Sequence, residues 1–185
     1  MNKWFEFYRY RIENLSYEEY FNRKYAIFLG YLIQNIKEGY KVLEVGCGTS
    51  LVTKSLYRNN IHFKVTDNNK KMLELSEINL KGTTIKPELW DIRKPLKEKF
   101  DVIYSHGVLE HFNLNEIKQI IRRQLMQSKL LVHYVPSAKY KHPSFGDELL
   151  MSKYEWEYEL QPSEIIEFNK GYDLILIWDR RIKGE

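Results

Sequence analysis

The chain has 185 residues, of which 43% are hydrophobic and 15% aromatic, and its formal net charge at pH 7 is +4. This composition can bury one sizeable core, so we expect a single domain over residues 1–185. No apolar run approaches the roughly eighteen residues of a membrane span, and a single cysteine forbids an internal disulfide. We therefore expect a soluble cytoplasmic protein that does not bind membranes and is a monomer or a homodimer. The charge permits a nucleic-acid partner but does not indicate one.

Residues 1–40 indicate an aromatic arm followed by a helix. The arm is too aromatic to be a free tail in water, and we expect it to pack as a lid over a ligand site, as closing lids do. Its aromatic residues are Trp4, Phe5, Phe7, Tyr8 and Tyr10. The helix is predicted over residues 16–37, with a capping box that begins at Ser16 and an end near Gly39.

Residues 41–51 are typical of a buried strand that runs into a glycine turn and then into a helix. Gly46 and Gly48 allow the backbone to approach a ligand closely. Thr49 or Ser50 can cap the helix that follows. Because the turn precedes a helix N-terminus, the segment predicts a nucleotide-like ligand.

Two residues of this segment separate the candidate ligands. A dinucleotide site has a third glycine that lets helix and strand pack closely, but Leu51 occupies that position. Glu44 is an unfavourable neighbour for a pyrophosphate, and it suits a ligand that carries an ammonium and a sulfonium group. We therefore favour S-adenosylmethionine over NAD.

The string from Glu44 to Ser50 resembles the first motif of the class I S-adenosylmethionine-dependent methyltransferases, Asp/Glu-x-Gly-x-Gly-x-Gly, with Ser50 in place of the last glycine. Further landmarks of the family follow in order as far as Trp178. The resemblance implies a single-domain α/β fold with a Rossmann-like, doubly wound, mostly parallel sheet. It also implies S-adenosyl-L-methionine as the cofactor. The residues of this motif that would bind it are Glu44, Gly46, Cys47 and Gly48.

The next landmarks concern the ribose and the adenine. Asp67 ends the following apolar run about twenty residues beyond the glycines, where a Rossmann-like unit places an acid on the ribose hydroxyls. The resemblance implies this role for Asp67 and places Asn68 and Met72 beside the adenine. It also makes Asp91 and the backbone of Trp90 adenine contacts. Taken alone, Asp67 would be a turn residue, Met72 a core residue and Trp90 a packing anchor.

Residues 100–112 resemble the fourth landmark of the family. Ser105 and His106 would lie at the carboxyl end of a strand, where ligands of open α/β sheets bind, and beside the methyl donor. If the methyl acceptor must lose a proton, His106 is the first candidate for the base and His142 the second. His133 lies in an apolar strand and is expected to be a core histidine.

Metal chemistry is not expected. Some small-RNA and quinone-type methyltransferases hold a divalent metal with a Glu-x-x-Glu-His string at this place. Here Gly107 replaces the first glutamate and leaves Glu110 and His111, and two protein ligands make a poor metal site. The Pro-Pro motif of exocyclic-amino methyltransferases and the Pro-Cys nucleophile of cytosine C5 methyltransferases are also missing from the sequence.

Strand and helix segments alternate along the chain, which indicates a parallel doubly wound sheet. The predicted strands are residues 41–45, 62–66, 85–90, 101–105, 129–135 and 173–178. The predicted helices after the first are residues 50–59, 69–80, 114–127 and 162–170, the last begun by Pro162. The family usually closes its sheet with a hairpin, but the chain ends soon after Trp178. We therefore expect the final strand either to be short, at residues 180–184, or to be missing.

We expect three segments of the chain to have different functions. Residues 41–135 would form the cofactor-binding core, residues 136–161 a substrate lid, and residues 162–185 the last helix and strand. Within the lid, residues 145–148 resemble a Gly-Asp/Asn-Glu turn of type 11 methyltransferases and would form one wall of the pocket. Long connections of this kind tend to carry function.

The predicted reaction is an in-line displacement of the methyl group from the sulfonium to an oxygen, nitrogen or carbon atom of a small-molecule acceptor. Two alternatives remain open. One is an RNA or protein methyltransferase in which the arm, Lys139 and Lys141 grip a macromolecule. The other is a cofactor-binding protein without transferase activity, such as the regulatory subunit of a two-chain enzyme.

Overall fold

The computed structural model describes residues 3–12 and 14–181. These residues form an α/β fold with a mostly parallel sheet of seven strands. The chain divides into two compact units, residues 1–92 and 93–185. The predicted fold class is confirmed. No helix in the described part of the chain is long and apolar enough to cross a membrane.

The first unit places three parallel strands beside helices from the N-terminal segment and from the crossovers. Its strands are β1 (Lys41–Val45), β2 (His62–Asp67) and β3 (Glu88–Leu89), and they lie in the order β3-β2-β1. Its helices are α1 (Lys3–Arg9), α2 (Leu15–Lys24), α3 (Ala26–Asn35), α4 (Leu51–Leu56) and α5 (Lys70–Asn79). The predicted strand 85–90 is therefore reduced to two residues at the edge of this unit.

The predicted helix 16–37 is wrong as a single helix. Tyr25 leaves the helical conformation, with φ −103° and ψ 21°, and separates α2 from α3. Phe21 in α2 and Phe28 in α3 are both buried. Asn14, and not Ser16, caps α2, because its side chain accepts a hydrogen bond from the Tyr17 backbone N–H at 3.1 Å.

The second unit combines a parallel strand pair with an antiparallel hairpin. Its strands are β4 (Phe100–His106), β5 (Ser128–Pro136), β6 (Glu164–Phe168) and β7 (Asp173–Asp179), in the order β4-β5-β7-β6. Strand β7 is antiparallel to both of its neighbours. The helices are α6 (Leu114–Leu125) and α7 (Lys153–Leu160), and a short 3-10 helix spans Leu109–His111.

The predicted helix 162–170 is wrong, because these residues contain strand β6. Helix α7 ends at Leu160, before Pro162. Gln161 follows it in the left-handed conformation that ends a helix. Ile165 and Ile166 then favour an extended backbone, since β-branched residues pack well on a pleated surface. The closing hairpin is therefore formed by β6 and β7, and Trp178 lies in its second strand. Of the proposed last strand at 180–184, residues 182–184 lie outside the described part of the chain.

Candidate cofactor and acceptor residues

The glycine turn after β1 has three residues in the left-handed region of backbone conformation. Gly46, Gly48 and Ser50 have φ values of 63°, 54° and 58°. Ser50 therefore adopts a left-handed conformation that favours glycine, the residue that the family motif has at this position. It is held there by a hydrogen bond from its backbone N–H to the Cys47 carbonyl at 2.7 Å and by a 2.6 Å contact between its hydroxyl and that of Ser76. Ser50 occupies the N-cap position of α4 without a capping bond from its side chain.

Asp67, at the end of β2, is tied to this turn. Its Oδ2 accepts a hydrogen bond from the Gly48 backbone N–H at 2.9 Å, and its Oδ1 accepts one from the Asn69 N–H at 2.9 Å. Burial raises the pKa of Asp67, and hydrogen bonds from the backbone of Gly48, Asn69 and Asn68 oppose that rise. A carboxylate has about four acceptor positions, so these bonds leave capacity for the hydroxyls of a ligand.

Glu44 lies beneath the same turn and is almost completely buried. The Thr53 hydroxyl donates a hydrogen bond to its Oε2 at 2.5 Å, and the Thr66 hydroxyl donates one to its backbone carbonyl at 3.1 Å. Thr53 was missed in the sequence, although a hydroxyl on the buried face of α4 is a detectable signal. Burial, followed by the charges of Glu44 and Asp67, raises the pKa of the Cys47 thiol. Cys47 is therefore an unreactive thiol that fills the turn.

The residues assigned to the adenine have different surroundings. Met72 is buried, and its Cε lies 3.6 Å from the position that a Cβ on Gly48 would take. The Trp90 backbone N–H donates to the Asp67 carbonyl at 2.9 Å, and its side chain is half-buried. Asn68 is exposed and Asp91 half-buried. The backbone bonds thus bring the ends of β2 and β3 together with the glycine turn.

The N-terminal arm packs beside the glycine turn. A cleft of about 10 Å³, which has room for about one water molecule, lies between the arm and the start of α4. It is lined by Tyr8, Arg11, Ile12, Asn14, Tyr17, Glu18, Thr49, Leu51 and Asn79. Lys71 of α5 lies over the Phe5 ring at 5.3 Å, and Lys54 of α4 pairs with Glu18 at 2.7 Å. The arm therefore lies beside the turn that the sequence assigns to the cofactor.

Ser105, in the second unit, uses its hydroxyl inside the core. Gln124 Oε1 lies 2.9 Å from His133 Nε2, and Ser105 Oγ lies 2.6 Å from His133 Nδ1. Because a carbonyl oxygen can only accept, Nε2 carries the proton and Ser105 donates to Nδ1. Burial lowers the pKa of His133 to about 3, so this histidine is neutral. A contact of Ser105 with a ligand would come from its backbone.

His106 ends β4 and stacks on Tyr134, with ring centroids 4.2 Å apart. The Tyr134 hydroxyl donates to Asp173 Oδ1 at 2.7 Å, and the Tyr140 hydroxyl donates to the same oxygen at 3.1 Å. Asn169 Nδ2 donates to Asp173 Oδ2 at 2.5 Å. Asp173 therefore fixes the ring against which His106 packs. Tyr134 and Asp173 could not be identified from their local sequence, because both lie in apolar strands.

Glu110 follows β4 in the short 3-10 helix and is 4% exposed. Its backbone carbonyl accepts a 2.6 Å hydrogen bond from the Leu149 N–H of the segment between β5 and α7. The neighbouring His111 pairs with Asp147 of that segment at 3.4 Å. Burial, followed by the charges of Glu148 and Asp147, raises the pKa of Glu110 to about 8. In the described ranges, no three His, Cys, Asp or Glu side chains are arranged to hold a metal.

The fold and the glycine turn define the class of protein. A Rossmann-like sheet with the strand order given above, a glycine turn after β1 and an acid at the end of β2 are the features of a nucleotide-binding α/β protein. Residues 42–126 match a family described as a methyltransferase domain. Over these residues the chain is similar to the class I S-adenosylmethionine-dependent methyltransferases, as the first motif predicted.

Known proteins of similar sequence or structure agree with this assignment. A ubiquinone biosynthesis O-methyltransferase from Pelagibacter ubique is 26% identical over 154 residues, which cover 74% of this chain and 62% of that protein. A protein from Pyrococcus horikoshii has a TM-score of 0.74 at 15% identity, covering 94% of this chain and 98% of its own.

Magnesium protoporphyrin IX methyltransferase from Synechocystis, with S-adenosylhomocysteine bound, has a TM-score of 0.66 at 14% identity and covers 84% of this chain and 81% of its own. These structural likenesses establish the fold. The chain spans 62% of the length of the ubiquinone relative.

Proposed function

We propose that this protein transfers a methyl group from S-adenosyl-L-methionine to a small-molecule acceptor. The observation that carries the proposal is the hydrogen bond from the Gly48 N–H to Asp67 Oδ2, which joins the glycine turn to the acid at the end of β2. This contact orients two groups that a nucleoside ligand needs, a close backbone and an acceptor for hydroxyls. The buried Glu44 adds a negative charge beneath the turn, which suits a ligand with a positive charge.

The residues of the turn fit this cofactor. A side chain at Gly48 would be strained at φ 54°, although its Cβ would be in ordinary contact with Met72 at 3.6 Å, so glycine suits the backbone conformation of the turn. When bound, the cofactor supplies an activated methyl group on a sulfonium. The protein then contributes mainly alignment, which in model reactions is worth about 7 to 11 kcal/mol. Asp67 and the glycine turn hold the nucleoside, and the ends of the strands hold the reacting groups.

The small-molecule assignment is supported by the names of two similar proteins. The proteins from Pelagibacter and Synechocystis carry names that describe the methylation of small molecules. We further propose that the protein acts in the cytoplasm as a monomer or homodimer, and that its residues form one methyltransferase domain.

The cofactor is tested by calorimetry. S-adenosylhomocysteine and S-adenosylmethionine should bind, and NAD should not. Glu77→Ala, on the exposed face of α5, is a control that should keep the wild-type affinity. Binding of NAD without binding of S-adenosylhomocysteine would reject the proposal.

The acceptor class is tested with cofactor that carries a labelled methyl group. The label should pass to members of a metabolite panel and not to total RNA or to protein from a cell extract. Transfer to RNA with strong salt dependence would identify the macromolecular alternative, because phosphate contacts release counterions. Cofactor binding without transfer to any of the three would identify the non-catalytic alternative.

A further inference from the structure

We propose that helices α6 and α7 form an interface through which two copies of this chain associate as a symmetric dimer. In this dimer, α6 of each copy packs against α7 of the other copy. The inference goes beyond the proposed methyltransferase function and does not depend on it.

Helices α6 and α7 pack on the same face of the sheet. Gln124 of α6 lies 2.9 Å from His133 of β5, and the indole N–H of Trp178 in β7 donates to the Leu160 carbonyl of α7 at 3.3 Å. The rings of His133 and Trp178 are in edge contact, with centroids 6.1 Å apart, so both side chains lie on one face. The two helices therefore share that face.

The two helices also contact each other, since Lys118 Nζ of α6 lies 2.6 Å from Glu159 Oε2 of α7. Ile117 and Ile121 of α6 and Trp156 of α7 are buried against the sheet side. Because side chains on a helix repeat every 3.6 residues, those on the opposite side of each helix point to solvent. We call this outer surface the α6/α7 face. Its exposed residues include Gln119, Arg122, Met126, Tyr154, Glu157 and Tyr158.

The α6/α7 face exposes large apolar side chains. Tyr154 is 79% exposed, Tyr158 80% and Met126 60%. Of the four large hydrophobic side chains that are exposed among the described residues 93–181, three lie on this face. Tyrosine, methionine and arginine are enriched at protein–protein interfaces, and clustered apolar exposure marks interaction sites. The composition of the face is therefore that of an interface.

The two helices of this face have opposite net charge. Helix α6 contains three basic residues and one acidic residue, whereas α7 contains three glutamates and one lysine. Arg122 and Glu157 are exposed, and neither forms an ion pair with another residue in the described part of the chain. A positive charge on α6 and a negative charge on α7 thus remain available to a partner.

A second copy of the chain complements both helices at once. A two-fold axis between α6 and α7, in the plane of the interface, places α6 of one copy over α7 of the other and repeats the contact by symmetry. The basic helix then meets the acidic helix twice. A wholly acidic or wholly basic partner would be attracted by one helix and repelled by the other, because like charges across an interface are unfavourable.

The size of the face determines the strength of the dimer. Helices of this length extend about 18 and 12 Å, and packed helix axes lie about 8–10 Å apart. A face of these dimensions buries less than the roughly 800 Å² that each partner contributes to an interface of standard size. We therefore expect a reversible dimer with a Kd on the order of 10 µM.

Sedimentation equilibrium of the full chain tests the dimer. At low salt and concentrations from about 1 to 200 µM, the mass of the wild type should rise from one chain towards two. Tyr154→Ser and Tyr158→Ser should each raise Kd by about tenfold or more, since tyrosines in the centre of an interface carry much of its binding energy. Tyr10→Ser is the matched control, because Tyr10 is 70% exposed but lies in the arm, and it should keep the wild-type Kd.

Charge reversal tests the pairing of the two helices. Arg122→Glu and Glu157→Arg should each raise Kd by about tenfold, because each places like charges opposite one another. The double variant should return Kd to within about threefold of the wild type. Lys97→Glu changes the net charge as much as Arg122→Glu does, at an exposed position outside both helices, and should leave Kd unchanged.

Two measurements complete the test. Raising sodium chloride from about 0.05 to 0.5 M should raise the wild-type Kd by about tenfold, because salt screens the opposing charges. The thermal unfolding midpoints of the surface variants, measured at a concentration where all are monomeric, should agree with the wild type within about 2 °C. A loss of association with unchanged stability then reports the interface and not the fold.

Four results would overturn the inference. The first is a wild type that stays monomeric at the highest concentration, and the second is a dimer that Tyr154→Ser and Tyr158→Ser leave intact. The third is a double charge variant that associates no better than the single ones. The fourth is dissociation by Tyr10→Ser, which would assign the contact to the arm. None of these results changes the proposed methyl transfer, which is tested by cofactor binding and turnover.

Discussion

Asp67 combines a structural and a proposed ligand-binding role in one side chain. Its two carboxylate oxygens accept backbone N–H bonds from Gly48 and Asn69, each at 2.9 Å. These bonds fix the carboxylate at the mouth of the turn before any ligand arrives. Because the acceptor is already held in place, little further conformational entropy is lost when the ligand binds.

Replacing Glu44 or Asp67 by alanine should each weaken cofactor binding by about 1 to 3 kcal/mol, the scale for losing hydrogen bonds to a charged group. Calorimetric titration with S-adenosylhomocysteine measures the loss. Glu77→Ala is again the control. Unchanged affinity in both variants would show that the cofactor site lies elsewhere.

Glu110 should make the protein less stable as the pH rises. Burial raises the pKa of this carboxyl from 4.5 to about 8, so the folded state holds a proton that the unfolded state loses. Its contribution is fully present below pH 4.5, falls between pH 4.5 and 8, and is constant above 8. Because Glu110→Gln cannot ionise, the free energy of unfolding of that variant should fall less across this window.

Urea unfolding at pH 5, 6.5 and 8 measures this effect, and Glu164→Gln supplies the control for an exposed carboxyl. The difference in stability between wild type and Glu110→Gln should change with pH, whereas that between wild type and the control should not. Parallel pH dependences for wild type and Glu110→Gln would mean that Glu110 titrates normally.

The placement of residues was predictable where a local motif determines it. Gly46, Gly48 and Asp67 lie at fixed places relative to two strands, so spacing alone indicated that they would be neighbours. The hydroxyl of Ser105 was not predictable, because it bonds His133, which lies 28 residues away in the chain. The hydrogen bond that Asp173 accepts from Tyr134 was likewise not predictable, since the two residues are 39 positions apart in the chain.

At the scale of elements, the sequence predicted the β1 to β5 region well and the last hairpin badly. Helix α6, at Leu114–Leu125, agrees closely with the predicted helix 114–127, and in the structure Asn113 and Glu116 form a complete capping box at its start. Strand β6 was mistaken for a helix because Pro162 and Gly171 bracket it like helix ends. Strand β6 is stabilised by its pairing with β7. The residues at the ends of β6 do not indicate that pairing.

Removal of residues 1–15 should weaken cofactor binding and lower turnover while leaving cooperative unfolding. The physical reason is that the arm lines the cleft beside Thr49 and Leu51, and a cover that excludes water strengthens contacts beneath it. The affinity for S-adenosylhomocysteine and the thermal unfolding curve measure the two effects.

A pair of point variants provides the matched control for the arm. Tyr8 lines the cleft, whereas Tyr10 is 70% exposed. Tyr8→Ala should reproduce part of the loss of affinity, and Tyr10→Ala should not. If truncation halves the apparent mass in solution and keeps the affinity, the arm is an oligomer contact and the lid proposal is wrong.

At the scale of the whole molecule, the chemistry is distributed over the chain. The first compact unit, residues 1–92, carries the glycine turn and Asp67. The second unit, residues 93–185, carries Glu110 and His106. Motifs that resemble the family occur in both units, so the sequence indicates the class of protein. No motif in either unit identifies the methyl acceptor.

Turnover should survive treatment with a chelator. The activated sulfonium needs no Lewis acid, and Gly107 stands where the metal-binding string would have its first glutamate. The measurement is methyl transfer after incubation with EDTA and gel filtration. A loss of activity that magnesium or manganese restores would show that Glu110 and His111 are metal ligands.

S-adenosylhomocysteine should stabilise the whole chain, and NAD should not. A ligand present at a hundred times its Kd stabilises the folded state by about 2.7 kcal/mol, which for a chain of this size raises Tm by roughly 5–10 °C. The shift should be smaller in Asp67→Ala at the same ligand concentration, because that variant lacks the acceptor at the end of β2. A rise in Tm with NAD and none with S-adenosylhomocysteine would mean that the turn is a dinucleotide site despite Leu51 and Glu44.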